Sequence, residues 1–477
     1  MSSISPAKIV SQNSYLAAGM YPWKNPSTPS KLKITEYFFT VPKDHSAPSP
    51  SSPANTLTLF ARSVTKAPPA IAPSTPPPAL PWLLYLQGGP GYPCRPPQHS
   101  PMTQILLDKG YQLLFLDQRG TGLSTPVTAS TLQMRGEEDV QARYLKHYRA
   151  DSIVKDCEAI RLALTGGEKW SILGQSFGGF CSVTYLSFHP EGLREVFLFG
   201  GLMPLVRTPD KVYRRLYPRV KARNEAYYAK FPEDVGRVRK ILSYLSRFGD
   251  GVIKLPSGGD LTRRRFLQLG LAFGGHGGLD SVHDIVLKCA TDIDMFGHLT
   301  RNALSAVDGA VNFDDALLYA ILHEPIYCSG KGNKAAWSAQ RVRDEFPEFA
   351  LEEQPSTTVG NAASVTAINF SGEMVYPWMF SDYTELRKVS RVAERVAQDD
   401  DWSELFDEEQ LAKNEVPVYA AAYQEDMYVD FDLSMQTAAK IKGCKVFSTN
   451  VLYHDAVRSR VDEVMKGVFG LRDDVVD

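Results

Sequence analysis

One serine stands in a setting that suits a catalytic nucleophile. The stretch WSILGQSFGGF at 170–180 places Ser176 in a G-x-S-x-G pattern, after an apolar strand-like run and before a helix-like run. A serine in such a sharp strand-to-helix turn projects its hydroxyl above the sheet, and flanking glycines avoid clashes with the neighbouring strand and helix. The pattern therefore predicts that Ser176 is a nucleophile.

A serine hydroxyl is a weak nucleophile without a base, and one histidine is placed to act as that base. The chain has nine histidines, and His454 alone follows both the long helical stretch and the final strand-like run, KVFSTNVL at 445–452. In proteins with this elbow the partners follow the serine in the order acid, then histidine, on loops after the last strands. We therefore predict His454 as the general base.

The acid is expected in the turn after the strand-like run VPVYAAAY at 416–423. The segment QEDMYVDFD offers four carboxylates, at Glu425, Asp426, Asp430 and Asp432. Asp426 lies in the turn closest to the end of the strand, with Glu425 as the alternative. We predict that Asp426 fixes the tautomer of the imidazole and stabilises the imidazolium.

A glycine-rich loop suits the stabilisation of an oxyanion. The run LQGGPG at 86–91 ends a strand-like segment in a chain of glycines. A tetrahedral oxyanion needs two preorganised N–H donors, one from the residue after the nucleophile and one from a neighbouring strand-end loop. We predict Phe177, Gly88 and Gly89 as the oxyanion residues, the glycines letting the substrate carbonyl approach the backbone.

Eight strand-like runs and one long helical stretch must position these residues. The runs lie at 33–41, 57–64, 82–87, 111–118, 170–175, 195–200, 416–423 and 445–452. The central runs are apolar almost throughout, which is typical of a parallel sheet covered on both faces, whereas the first two alternate as an antiparallel start would. We predict an α/β fold with a mostly parallel eight-stranded sheet. Its core would comprise 1–204 and 401–477, with a helical insertion at 205–400 after the sixth strand.

The composition argues against several classes of partner. The 477 residues carry a formal net charge of −2, which gives no basic field for nucleic acid. No apolar run approaches the roughly 18 residues of a membrane-spanning helix, and the first residues lack the continuous apolar segment of a secretory signal. Six cysteines without metal-ligand spacing predict reduced thiols, with Cys94 interpreted as a packed one. We expect a cytoplasmic protein with no metal, cofactor, nucleic-acid or membrane partner, and the oligomeric state stays open.

Three motifs together resemble those of the prolyl aminopeptidase (proline iminopeptidase) family of α/β-hydrolases. That family carries H-G-G-P-G, D-x-R-G-x-G-x-S and G-x-S-x-G-G, and this chain has QGGPG at 87–91, DQRGTGLS at 117–124 and GQSFGG at 174–179. Gln87 stands where the family has histidine, which concerns loop packing and not the triad. Asp117 and Arg119 are interpreted as a buried pair that braces the oxyanion loop.

The resemblance implies the α/β-hydrolase fold and the release of N-terminal proline from short peptides that have a free N-terminus. The insertion would be the family's cap, in which glutamates recognise the free amine. The segment LHEPIYC matches a family stretch of the E-N-H-Y-F type and points to Glu324. The segment FSGEMVYPWMF would line the pocket through Glu373, Tyr376 and Trp378. An ordinary structural acid is the alternative interpretation of both glutamates.

Two other functions stay open on the sequence. The same triad would serve an esterase, amidase or lactonase acting on a small acyl compound, and the same fold could carry a non-catalytic binding protein. A binding protein has no need of Ser176, Asp426 and His454 together. Epoxide hydrolases and dehalogenases are disfavoured because they use an aspartate at the elbow.

Overall fold

The computed structural model describes residues 4–19, 31–47, 52–67, 79–248, 253–350 and 367–474. The described residues form a nine-stranded sheet in the order β1-β2-β3-β5-β4-β6-β7-β8-β9. The strands are β1 Lys8–Ala18, β2 Lys31–Pro42, β3 Thr56–Lys66, β4 Trp82–Leu86, β5 Gln112–Asp117, β6 Trp170–Gln175, β7 Leu193–Phe199, β8 Val418–Tyr423 and β9 Cys444–Thr449. The β1–β2, β2–β3 and β3–β5 pairs are antiparallel, and the pairs from β5 across to β9 are parallel.

The predicted α/β fold with a mostly parallel sheet is confirmed, but the prediction of eight strands is wrong. The eight predicted runs correspond to β2–β9, and β1 is the additional strand. Every side chain of β1 is exposed except the half-buried Ala17, because the strand lies at the sheet edge and pairs only with β2. A strand without a buried face has no reason to show the period-two alternation on which the prediction relied.

Helices occupy the connections between the strands. In the first part of the core they are α1 Met102–Asp108, α2 Ala129–Gln133, α3 Glu138–Leu145, α4 Ala150–Thr165 and α5 Phe177–Phe188. The next set comprises α6 Asp210–Lys230, α7 Asp234–Phe248, α8 Arg263–Leu267, α9 Gly278–Phe296, α10 Arg301–Ala310, α11 Leu317–Leu322, α12 Ser338–Arg343, α13 Met379–Asp382, α14 Thr384–Arg387 and α15 Ser390–Gln398. The last four are α16 Glu408–Ala412, α17 Phe431–Lys440, α18 Ala456–Ser459 and α19 Val461–Asp473.

Short 3-10 helices supplement these elements. They lie at Pro53–Asn55, Pro97–His99, Lys146–Tyr148, Pro190–Gly192, Gln268–Gly274, Pro325–Tyr327 and Pro347–Phe349. Among the described residues, no helix combines the length and apolar character required to span a bilayer. Helices α6–α15 fall within the predicted insertion, of which residues 249–252 and 351–366 lie outside the described ranges. The domain boundaries themselves stay predictions.

The sheet is covered on both faces, which explains why its central strands are apolar. In β4, Leu83 and Tyr85 pack in one buried cluster with residues of α1 and α19. The alternate residues Leu84 and Leu86 pack in a second cluster with residues of α4, α5 and the insertion. Because successive side chains of a strand point to opposite faces, both sets must be apolar.

A buried arginine ties the insertion to the core. Arg149, immediately before α4, is 1% exposed and donates hydrogen bonds to the carbonyl oxygens of Pro325 and Cys328. Its other terminal nitrogen donates to the carbonyl oxygen of Ser403, and its guanidinium lies 4.4 Å from the ring centre of Trp402. These contacts fix the 3-10 turn that follows Glu324 against the core.

Candidate active site

Ser176 occupies the turn between β6 and α5 in a rarely populated backbone conformation. Its φ is 53° and its ψ is −122°, and its N–H donates to the carbonyl oxygen of Phe199 at 3.0 Å. Such a conformation persists only where the surroundings enforce it. They do so here through close backbone approach: a side-chain carbon placed on Gly178 would lie 2.0 Å from the carbonyl oxygen of Leu86.

The structure brings Asp426 and His454 together. Nδ1 of His454 lies 2.7 Å from Oδ2 of Asp426, and both side chains are buried. The other carboxylate oxygen of Asp426 accepts the N–H groups of Tyr428 at 2.8 Å and Val429 at 3.0 Å. The alternative acid, Glu425, is exposed. The carboxylate of Asp426 is therefore held in place from two sides.

The turn after β7 lies against both His454 and the backbone of Ser176. A side-chain carbon on Gly200 would lie 3.2 Å from Nδ1 of His454, and one on Gly201 would lie 2.6 Å from the carbonyl oxygen of Ser176. One glycine pair thus contacts both residues and allows them to approach. With the Nδ1 proton directed at Asp426, Nε2 of His454 is the nitrogen left to accept a proton.

Two carboxylates act on the charge state of His454. Burial alone would lower the pKa of the imidazole, but the hydrogen bond and charge of Asp426 and the further charge of Glu373 raise that pKa above its ordinary value. The positive charge of Arg458 opposes this effect. The site is therefore organised to stabilise an imidazolium, as a base that takes up a serine proton requires.

The glycine-rich loop lies directly against the nucleophile. A side-chain carbon on Gly88 would lie 2.9 Å from Cβ of Ser176, so only glycine fits there. Phe177 begins α5, and the N–H groups of a first helical turn have no partner within the helix. The oxyanion roles of Gly88, Gly89 and Phe177 stay predictions.

Gln87 is anchored within the loop. Its side-chain oxygen accepts the hydroxyl of Tyr85 at 2.8 Å, and its carbonyl oxygen accepts Nε2 of Gln118 at 3.0 Å. Although Gln87 replaces the histidine of the family motif, both its backbone and its side chain hold the loop in place.

The predicted pairing of Asp117 with Arg119 is wrong. Arg119 makes a two-pronged ion pair with Asp156 of α4, with N–O distances of 2.6 and 2.5 Å. Asp117 instead accepts the backbone N–H groups of Cys94 at 2.9 Å and Leu123 at 3.1 Å. Asp117 thus braces the chain that follows the glycine-rich segment, whereas Arg119 joins its own loop to α4 and to the carbonyl oxygens of Lys43 and His147.

Glu373 lies in a buried polar cluster close to the triad. Its carboxylate accepts the hydroxyl of Tyr319 at 2.9 Å and lies 3.7 Å from Nε2 of His323. Burial would raise the pKa of Glu373, but His323, the charge of His454 and the Tyr319 hydroxyl together lower it below its ordinary value. The structure thus places a half-buried carboxylate within electrostatic reach of His454, the predicted base.

Glu324 also belongs to this region, although its contacts are structural. Its two carboxylate oxygens accept the N–H groups of Ser338 at 2.9 Å and Ala339 at 2.8 Å, at the start of α12. Burial raises the pKa of Glu324 to about 8, despite these donors and the nearby charge of Arg341. Its predicted role in binding an amine stays a prediction.

Tyr376 and Trp378 lie stacked on each other, with ring centres 5.4 Å apart. They line a small cavity of about 10 Å³ together with Arg264, Leu267, Arg343, Phe349, Asn369 and Ser371. The hydroxyl of Tyr376 is 3.1 Å from that of Tyr217, and the guanidinium of Arg264 lies 5.0 Å from the ring centre of Trp378. Their predicted place in the substrate pocket stays a prediction.

Comparison with known proteins gives the same family as the three motifs. The chain is 42% identical over 480 residues to a proline iminopeptidase of Aspergillus aculeatus, covering 100% of this chain and 99% of that protein. It is 39% identical over 439 residues to a proline iminopeptidase of Aeromonas sobria, covering 92% of this chain and 96% of that protein. Residues 81–258 match the alpha/beta hydrolase fold family. The chain belongs to the proline iminopeptidase family.

A solved family structure is more distant. The proline iminopeptidase of Mycobacterium smegmatis matches 87% of this chain and 95% of its own, with 14% sequence identity and a TM-score of 0.36.

Two residues of the candidate site, Tyr319 and His323, were not predicted from the sequence. Tyr319 lies in α11 and His323 directly follows the end of that helix, and their ring centres are 4.7 Å apart. Nδ1 of His323 lies 3.4 Å from the hydroxyl of Tyr213. The signal was present in LLYAILHE, where a tyrosine and a histidine at helical spacing lead directly to Glu324.

One group among the described residues offers three donor atoms to a cation: Glu158, His189 and Glu191, within 4.8 Å of one another. Glu158 already pairs with Arg161 and accepts the hydroxyl of Tyr185. The group lies at the opposite end of α5 from Ser176. Cys94, for its part, is buried and directs its thiol at the carbonyl oxygen of Leu116, as a packed thiol would.

Proposed function

We propose that the protein is a serine aminopeptidase that releases N-terminal proline, or a similar residue, from short peptides. The observation that carries this proposal is Glu373, a half-buried carboxylate that accepts the hydroxyl of Tyr319 at 2.9 Å, lies 3.7 Å from Nε2 of His323 and raises the pKa of His454 through its charge. A free amine entering a buried pocket as an ammonium loses hydration, and a nearby carboxylate offsets that loss. An esterase acting on neutral acyl groups has no use for such a charge.

The triad geometry supports a two-step acyl transfer. Nε2 of His454 takes the hydroxyl proton as Oγ of Ser176 attacks the scissile carbonyl, and Asp426 stabilises the resulting imidazolium. The N–H groups of Phe177 and of the Gly88–Gly89 segment receive the oxyanion. His454 then gives its proton to the leaving amine, the C–N bond breaks, and water hydrolyses the acyl-enzyme by the same route.

We assign the principal amine contact to Glu373, with Glu324 as a second acid deeper in the insertion. Glu324 has a pKa of about 8 and both oxygens engaged by α12, so it offers less negative charge at neutral pH. Tyr213 connects the two, because the charges of Glu324 and Glu373 both add to the effect of burial in raising its pKa. An amine anchored near His454 leaves room for one residue before the scissile bond, which makes the enzyme an aminopeptidase.

The decisive experiment compares substrates that differ at the amine. Proline arylamide should be cleaved, and its N-acetylated form and simple acyl esters should not. Glu373→Gln should lower kcat/KM for proline arylamide by the value of a charge-assisted hydrogen bond, roughly 1.5–3 kcal/mol. Glu345→Gln is the matched control, because that acid of the insertion is exposed and pairs with Arg214.

The opposite outcomes are equally informative. Cleavage of acyl esters but not of proline arylamide would transfer the assignment to the esterase or amidase class. A loss in Glu324→Gln with none in Glu373→Gln would assign the amine contact to Glu324, as the sequence predicted. Ready cleavage of the acetylated compound would refute any amine anchor.

We also propose that the protein acts in the cytoplasm. Its six cysteines are free, and five are buried, which is typical of proteins from a reducing compartment. Cell fractionation with an antibody to the chain tests this, and recovery of the protein from the secreted fraction would contradict it.

A further inference from the structure

A short segment of the insertion contacts both loops that carry the acid and the base. It comprises residues 271–276, from the end of the 3-10 helix Gln268–Gly274 to His276, and we call it the 271–276 segment. On one side it reaches the turn after β8, which holds Asp426. On the other it reaches the loop after β9, which holds His454.

The contact with the acid turn runs through Tyr428. The hydroxyl of Tyr428 donates to the carbonyl oxygen of Leu271. Its ring packs edge-on against the imidazole of His454, with ring centres 4.8 Å apart and planes at 79°. The ring also occupies the space beside Gly274, where an added side-chain carbon would lie 2.3 Å from it. The insertion therefore fixes a ring that touches the catalytic histidine.

The contact with the histidine loop is a second histidine–aspartate pair. Nδ1 of His276 lies 2.6 Å from Oδ1 of Asp455, the residue directly after His454, and the backbone N–H of His276 donates to the same oxygen at 3.1 Å. Oγ of Ser459 lies 2.9 Å from the same ring nitrogen. The pair therefore joins the insertion to the chain beside the base.

The rest of the ring of His276 is enclosed. Its edge packs against Tyr453, with ring centres 4.9 Å apart, and its Nε2 is buried without a hydrogen-bond partner among the described residues. The guanidinium of Arg223 in α6 covers the same tyrosine, 4.7 Å from the ring centre, and donates to the carbonyl oxygen of Phe273 at 3.0 Å. Among the described residues, the hydrogen-bond contacts of the His276 ring therefore run through Nδ1, to Asp455 and Ser459 of the histidine loop.

We infer that His276 is a positioning residue for His454, acting through Asp455, and that the 271–276 segment couples the seating of the insertion to the alignment of the acid and the base. The inference rests on the proposed role of His454 as general base. Because Asp455 follows His454 directly, a shift of its carboxylate displaces the imidazole relative to Ser176. Misplacement of a reacting group by about 1 Å costs up to a hundred-fold in rate.

The test separates alignment from substrate binding. His276→Ala should lower kcat for proline arylamide about ten- to a hundred-fold with KM little changed. It should slow by a similar factor the labelling of Ser176 by a small fluorophosphonate, which needs the serine and histidine but no amine contact. His276→Asn, whose side-chain amide can replace Nδ1 as donor to Asp455, should recover most of both rates.

Two further variants supply controls. His283→Ala removes a histidine–aspartate contact of 2.8 Å to Asp234 within the insertion and should leave both rates unchanged. Asp455→Ala should match His276→Ala, and the double variant should be no slower than either, because both act along one route. Thermal unfolding of each variant reports whether it is folded.

The inference is overturned if folded His276→Ala labels at the wild-type rate, or if only its KM changes. An equal loss in His283→Ala would assign the effect to general loosening of the insertion. Failure of the proposed function has a different signature: the wild type would label at Ser176 and yet leave proline arylamide intact.

Discussion

Oδ2 of Asp426 lies 2.7 Å from Nδ1 of His454, so the carboxylate occupies one ring nitrogen and leaves Nε2 for the predicted role of base. The carboxylate is itself fixed by the backbone N–H groups of Tyr428 and Val429. The turn after β8 thus orients the imidazole that is predicted to act on Ser176. Substitution of each of these residues has a measurable expected effect.

The pH dependence of activity should reflect the raised pKa of His454. The base works only when neutral, so kcat/KM should fall as the pH is lowered through that pKa, which lies above the ordinary histidine value of about 6.5. Glu373→Gln removes a negative charge and should move the acidic limb to lower pH. Arg458→Gln removes a positive charge and should move it to higher pH. Profiles of kcat/KM against pH show the direction in which each substitution moves the acidic limb. A shift of both variants in the same direction would contradict this account.

Ser176→Ala should eliminate turnover without unfolding the protein. Removal of one member of such a triad lowers kcat by about 10⁴–10⁶, because the members act as a unit. The measurement is proline arylamide hydrolysis alongside a thermal unfolding curve. Chelating agents should leave the wild-type rate unchanged, since this chemistry needs no metal. Near-normal activity of the folded variant, or chelator inactivation reversed by zinc, would refute the assignment.

Asp426→Asn should be nearly as inactive as Ser176→Ala. The amide keeps the shape of the side chain but no longer favours the tautomer with the proton on Nδ1, and a comparable change lowers kcat by about 10⁴. Glu425→Gln is the matched comparison, because this neighbouring acid is exposed. Initial rates for both variants decide the matter. A crippled Glu425→Gln beside an active Asp426→Asn would exchange the roles.

The ion pair of Arg119 with Asp156 should contribute strongly to stability. Both side chains are at most 1% exposed, so Arg119→Ala would leave the buried carboxylate of Asp156 with only its 2.8 Å contact to His45 among the described residues, at a cost of up to about 3–5 kcal/mol. Because the pKa of Asp156 is lowered in the folded state, the pair's contribution is present above the unfolded pKa and is lost as the pH falls through the folded one. Urea unfolding measures the change. Lys240→Ala breaks an exposed pair with Asp294 and should alter the midpoint little.

Much of this architecture follows from the local sequence. The apolar runs of β2–β9 predict a covered, mostly parallel sheet, and the glycines around Ser176 predict a sharp turn. Local pattern also limits the acid to the segment after β8. It did not reveal β1, whose side chains contact solvent on both faces and therefore show no period.

Contacts between side chains that lie far apart in the sequence could not be predicted in the same way. Arg119 has an aspartate two residues away, yet it pairs with Asp156, because α4 presents a carboxylate at the correct distance. The orientation of Glu324 depends likewise on the N–H groups of α12, fourteen and fifteen residues away. Such contacts depend on how elements pack, which neither residue spacing nor motif similarity records.

The order of the strands has a consequence for biosynthesis. β8 and β9 pair beside β7 but are made only after the entire insertion, and Asp426 and His454 follow them. A growing chain therefore carries its nucleophile long before it has an acid or a base. With Asp426 and His454 as the predicted acid and base, peptide cleavage begins only once β8 and β9 have been made and have docked, so a chain that ends before β8 carries Ser176 without activity.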